Sequence, residues 1–142
     1  MLTNNTQTDL EIEQVEMNNS ETYYLQIDDD MQYFKKILKK ILFLLKDELE
    51  VFTYNTFEYF LSDTDAQLEI YIHYRSWSNI DVYDNSVIKK VVIHIIDYNY
   101  LVQSINFYED IIFGKEIYTE HDPQNNIQEV ICIVRDMISG LF

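Results

Sequence analysis

A chain of 142 residues with 47% hydrophobic and 15% aromatic content has the length of one ordinary domain and the apolar material for one continuous core, which excludes disorder throughout. Its formal net charge of -15, from 25 acids against 10 bases, argues against direct binding to nucleic acid or to an anionic membrane, since both require a basic patch. Acidity of this size either keeps a protein soluble and monomeric or prepares it for a basic partner, and composition leaves both open.

One Pro and two Gly give the chain few sharp turns, so regular elements should dominate, and twelve Tyr and eight Phe push them toward β. Residues 1–30 carry eight acids and no base. Residues 1–22, rich in Asn, Thr and Gln, read as a flexible acidic tail, because they offer too little apolar surface to offset the entropy of ordering. The folded domain is placed at 23–142, with Tyr23, Tyr24, Leu25 and Ile27 as a short strand or extended arm. Asp28, Asp29 and Asp30 then form an N-cap cluster, since carboxylates there accept from free backbone N–H groups and complement the helix dipole.

The helix that follows places Met31, Phe34, Ile37, Leu38, Ile41, Leu42, Leu44, Leu45 and Leu49 in one arc of about 160°, a core-facing stripe. Lys35, Lys36, Lys39, Lys40 and Lys46 take the opposite side, with Phe43 among them as either a contact residue or an incidental surface apolar. The period then changes to two, and 51–61, 68–77, 89–97, 101–108 and 111–118 read as strands. In 68–77 the alternation is clean: Leu68, Ile70, Ile72 and Tyr74 face one way, and Glu69, Tyr71, His73 and Arg75 the other. Val91, Val92, Ile93, Ile95 and Ile96 are apolar on both faces, which fits a central strand covered on two sides or an oligomer seam. Gly114 marks a turn or a bulge within its strand. Asp122, Pro123, Gln124, Asn125 and Asn126 announce a second helix, on which Ile127, Val130, Ile131, Val134, Met137, Ile138 and Leu141 share a face of about 120°. Strands gathered between helices predict a single α+β domain, with about five mostly antiparallel strands covered on one face by an N-terminal and a C-terminal amphipathic helix.

Motifs of catalysis are missing. The sequence has no Gly-rich phosphate loop, no GxSxG, no HExxH, no CxxC and no calcium loop, so neither an enzyme nor a cofactor is expected. Cys132 has no second cysteine to pair with, and the N-terminus lacks the basic start and apolar run of a signal peptide, which makes the cytoplasm the default. The apolar run at 41–45 is short and flanked by lysines, so no membrane span is expected. His73 and His94 lie in predicted strands and could meet on one sheet face near Glu69 as a metal site, but strand histidines more often pack and hydrogen-bond, and no metal is expected.

The remaining acids gather in turns, interleaved with tyrosines and the one tryptophan. Carboxylates mixed with aromatic rings make a surface that engages a basic protein, the charge raising the association rate and the rings anchoring. The expected partner-binding residues are Asp28, Asp29, Asp30, Asp63, Asp65, Tyr71, Trp77, Asp81, Tyr83 and Asp84. In size, acidity and lack of catalytic motif the chain resembles bacterial toxin-immunity proteins and phage-encoded inhibitors of nucleases, restriction enzymes or CRISPR effectors; the resemblance is compositional and matches no family motif at any residue. It implies a non-enzymatic inhibitor or antidote, monomeric or homodimeric, that masks a basic nucleic-acid-handling partner such as a nuclease, toxin or effector. The alternative is a small acidic cytoplasmic chaperone or adaptor, similar to secretion chaperones, that binds a client segment as a dimer through the 91–96 strand.

Overall fold

The computed structural model describes residues 19–74 and 87–140, with the side chains of 30–74 and 88–140. Two compact units are distinguished, Met1–Tyr33 and Phe34–Phe142. The long helix α1, Asn19–Glu48, belongs to both; its residues 19–33 are what is described of the first unit, and the sheet lies wholly in the second.

The helix begins earlier than expected. No Pro or Gly interrupts 19–48, and once a helix is nucleated each further residue adds one bond, so the segment read as an arm or strand, Tyr23 to Ile27, is helical. Asp28, Asp29 and Asp30 therefore sit inside α1, about three turns from its start, and do not cap it. Residues 1–18 of the expected tail lie outside the described residues, and 19–22 open the helix.

Within the second unit α1 presents the expected stripe. Phe34, Ile37, Leu38, Ile41 and Leu45 are buried, Leu49 is buried in the following 3-10 turn Leu49–Val51, and Phe43 stands 75% exposed on the lysine side. Five strands follow: β1 Asn55–Leu61, β2 Gln67–Tyr74, β3 Val87–Ile96, β4 Asn99–Asn106 and β5 Ile111–Ile117. They form one antiparallel sheet in the order β1-β2-β3-β4-β5, a meander in which every strand pairs with its neighbour in sequence. A 3-10 turn, Pro123–Asn126, leads into α2, Ile127–Ile138. The Asp122 side chain accepts from the Gln124 backbone N–H at 3.1 Å and Pro123 takes the first position of that turn, the expected start signal.

Both helices cover the same sheet face. Its inward residues are Leu68, Ile70 and Ile72 of β2, Val91, Ile93 and Ile95 of β3, Tyr100, Val102 and Ser104 of β4 and Ile117 of β5, all buried. From α2, Ile127, Val130, Ile131, Val134 and Met137 complete the core. The helices meet at their ends, where Arg135 Nη1 donates to Glu48 Oε1 at 2.8 Å, and Lys89 Nζ donates to the Met137 carbonyl from β3. The expected 3.6-residue and two-residue periods thus converge on one apolar layer.

Two local expectations change. Gly114 lies in mid-strand opposite Gln103, and the irregularity of that pair falls between Ser104 and Ile105. The first strand is shorter than 51–61, because Leu49 to Val51 are needed to close the helix and bury Leu49. Among the described residues no helix is long and apolar enough to cross a membrane.

Candidate functional site

Antiparallel pairing puts directly opposed residues on the same face, so the register names the side chains on the sheet face away from the helices. One row runs Glu58, Tyr71, Lys90 and Ile105; the next runs Phe60, Glu69, Val92 and Gln103; a third runs Gln67, His94, Leu101 and Glu116. Among the described residues no element covers this face: Phe60 is 52% exposed and Ile96 53%. Val92 is nevertheless buried, at the centre of its row, so the two-sided apolar strand is the central strand of the sheet, shielded on its open side by its neighbours' side chains.

The face is a connected polar and aromatic surface. Tyr71 donates its hydroxyl to Glu69 Oε1 at 2.9 Å, Gln67 Nε2 donates to Glu69 Oε2 at 3.1 Å, and the Phe60 ring meets the Tyr71 ring edge-on at 5.2 Å. Lys90 Nζ lies 5.4 Å from the Tyr71 ring centre and 3.5 Å from Glu109 Oε1. Burial pulls the Lys90 pKa down, but the charges of Tyr71, Glu69 and Glu109 and the bond to Glu109 outweigh it and hold the ammonium above its usual range. Burial raises the pKa of the Tyr71 hydroxyl, helped by the Glu69 carboxylate that accepts its hydrogen bond and opposed by Lys90. The one lysine on this face is therefore surrounded by acceptors, while Glu58 and Glu116 remain exposed.

The two strand histidines do not meet. Both point to the open face, but His94 pairs with Gln67 and His73 lies six residues further along β2, a separation of about 20 Å at strand rise. Their nitrogens engage other groups, His73 Nε2 with Glu58 Oε1 at 2.8 Å and His94 Nε2 with Gln103 Oε1 at 3.0 Å. Among the described residues no three His, Cys, Asp or Glu side chains are grouped as metal ligands would be. Cys132 is exposed on α2.

Of the expected partner-binding residues whose side chains are described, Tyr71 stands on the open face. Asp63 and Asp65 are exposed in the β1–β2 turn, which is shaped by Ser62 Oγ accepting from the backbone N–H groups of Thr64 and Asp65 and is held to α1 by Lys35, whose ammonium donates to the Asp63 carbonyl. Asp28, Asp29 and Asp30 are on α1 in the first unit. Trp77, Asp81, Tyr83 and Asp84 lie outside the described residues. Sequence reading passed over Glu58, Phe60, Glu116, Tyr118 and Ile96. Strand pairing is what puts the first three on the same face as Tyr71, because alternation sorts the residues of one strand into two sets without saying which set shares a face with a neighbouring strand's.

The half of the sheet running from the β3–β4 turn to the second 3-10 turn is the most one-sided in charge. Asp97, Glu109, Asp110, Glu116, Glu120 and Asp122 accompany a single base, Lys115, which the register turns to the helix-covered side. Its exposed apolar side chains are Ile96, Phe107, Tyr108, Ile111, Ile112 and Tyr118. Compared with known proteins, the chain matches no family model, no curated protein and no solved structure.

Proposed function

We propose that this protein acts by binding another protein, as an acidic inhibitor or immunity protein, a toxin antidote or a phage-encoded antagonist of restriction or CRISPR effectors, that masks a basic nucleic-acid-handling partner. The observation that carries this reading is the open face of the antiparallel sheet, where exposed carboxylates at Glu58 and Glu116 stand among exposed rings at Phe60 and Tyr118 and where acceptors surround the only lysine, Lys90. A net charge of -15 accelerates encounter with a cationic surface, and rings on a rigid sheet provide contact area at little entropic cost.

A second reading, the client-binding chaperone or adaptor, is favoured by one observation: β5 is an edge strand that exposes Ile111 and Ile112 at its start, a place where an extended segment of a client or of a second copy adds to a sheet. The charge of the chain opposes pairing with its own copy, so we rank this reading second. The deciding experiment measures binding to a panel of basic nucleases and effectors at increasing salt, with light scattering of the free chain. A monomer that blocks such a partner and is released by salt supports the inhibitor. An obligate dimer that binds apolar client peptides without regard to salt refutes it.

A further inference from the structure

A small cavity of about 200 Å³ opens at one end of the uncovered sheet face, lined by Ile96, Asp97, Asn99, Leu101, Glu116 and Tyr118 together with Tyr100. Three neighbouring strand ends and their turns build it, and the register turns Ile96, Asn99, Leu101 and Glu116 toward the open side. Its chemistry is of two kinds. Ile96 and Leu101 supply apolar lining and Tyr118, 72% exposed, an aromatic ring, whereas Asp97 and Glu116 supply carboxylates, and among the described residues no lysine, arginine or histidine lines it. Asn99 is already committed, accepting from the Thr119 N–H at 3.0 Å. Tyr118 donates its hydroxyl to Glu116 Oε1 at 2.8 Å, which fixes the carboxylate and leaves Oε2 to accept from outside.

We propose that this cavity receives one arginine side chain of the basic partner, an inference that rests on the reading given above. An aliphatic stem ending in a planar, permanently charged fork matches a lining that combines apolar side chains with carboxylates, and a guanidinium stacks on a tyrosine face. The size suits one side chain and is below that of a cofactor pocket. Charge complementarity selects the occupant: among the described residues two acids and no base line the cavity, which disfavours an anion and leaves a neutral apolar side chain facing carboxylates it cannot pair.

The test uses the full chain, isotopically labelled, titrated with acetylated and amidated Ala-Arg-Ala and with the same peptide carrying lysine or citrulline in place of arginine. The expected result is amide shifts concentrated at Ile96, Asp97, Leu101, Glu116 and Tyr118, with arginine preferred to lysine and citrulline silent. Glu116→Gln should weaken arginine binding about tenfold, and Tyr118→Phe by about two- to threefold through loss of the bond that orients Glu116. Glu50→Gln, which removes the same charge from an exposed position elsewhere, should leave it within about twofold. Shifts spread evenly over the acidic turns, or equal losses from Glu116→Gln and Glu50→Gln, overturn the cavity while leaving an acidic binding protein intact. Citrulline binding as well as arginine overturns the charge basis of both.

Discussion

Ser104 is fully buried on the covered face, between Val91 and Phe113 in the register, and its hydroxyl has no hydrogen-bond partner. A buried hydroxyl without a partner costs free energy, so Ser104→Ala should raise unfolding stability by about 1 kcal/mol in a denaturant titration. Tyr100 is the opposite case: equally buried, it donates to the Pro123 carbonyl at 2.6 Å and ties β4 to the turn before α2. Tyr100→Phe leaves that carbonyl short of a partner and should cost about 1–2 kcal/mol, measured the same way. Burial raises the Tyr59 pKa to about 12, so its neutral form is favoured in the fold. That contribution is complete below the ordinary tyrosine pKa of about 10 and is lost as pH rises from there through about 12. Burial lowers the Lys89 pKa, which works in the other direction, adding stability as pH rises toward the ordinary lysine value. Unfolding followed between pH 10 and 12 should therefore show a shallower alkaline loss in Tyr59→Phe than in the parent protein. None of these four assignments was legible beforehand, because each depends on what packs against the residue from elsewhere in the chain, and local sequence does not contain it.

At the scale of elements, α1 and α2 were the most legible, since a stripe at helical spacing is a local pattern with one solution. The stripe also separates two substitutions on opposite sides of one turn of α1. Ile41→Ala, at a fully buried position, should cost about 2–5 kcal/mol, whereas Phe43→Ala, on the exposed lysine side, should stay within about 0.5 kcal/mol. The start of α1 was misread for a physical reason: three consecutive aspartates have the chemistry of a cap, but a cap acts only where the chain before it leaves the helix, and residues 19–27 contain nothing that forces it to leave. Strand ends were harder. The β3–β4 turn consists of Asp97 and Tyr98, both with positive φ, 53° and 70°, in place of the Asn-Gly such a turn favours. Tyr98 holds that backbone through contacts remote in sequence, its ring against Phe34 at 5.1 Å and His121 at 5.9 Å and its carbonyl accepting from Thr119 Oγ1 at 2.6 Å. A turn stabilised from outside leaves little local signature.

Across the whole molecule, charge is uneven: eight acids and no base in residues 1–30, five of the ten bases on one helix, and an acidic half-sheet ending in β5. A partner that reads charge should approach the sheet, and its affinity should fall by about an order of magnitude or more as ionic strength rises from about 0.05 to about 0.5 M, measured by calorimetry or surface capture. Salt-independent binding would mean that apolar contacts dominate. The sequence by itself determined the α+β class, the two amphipathic helices, the presence of five strands and the sign of the net charge, because periodicity and composition are properties of neighbouring residues. Only the tertiary structure decided which sheet face stays open, that His73 and His94 stand apart, and that Ile96, Leu101, Glu116 and Tyr118 share one cavity. Those are matters of register and of the face the helices choose. A shift of one residue in a strand pairing would send every side chain of that strand to the other face, so no local pattern fixes which carboxylates and rings meet.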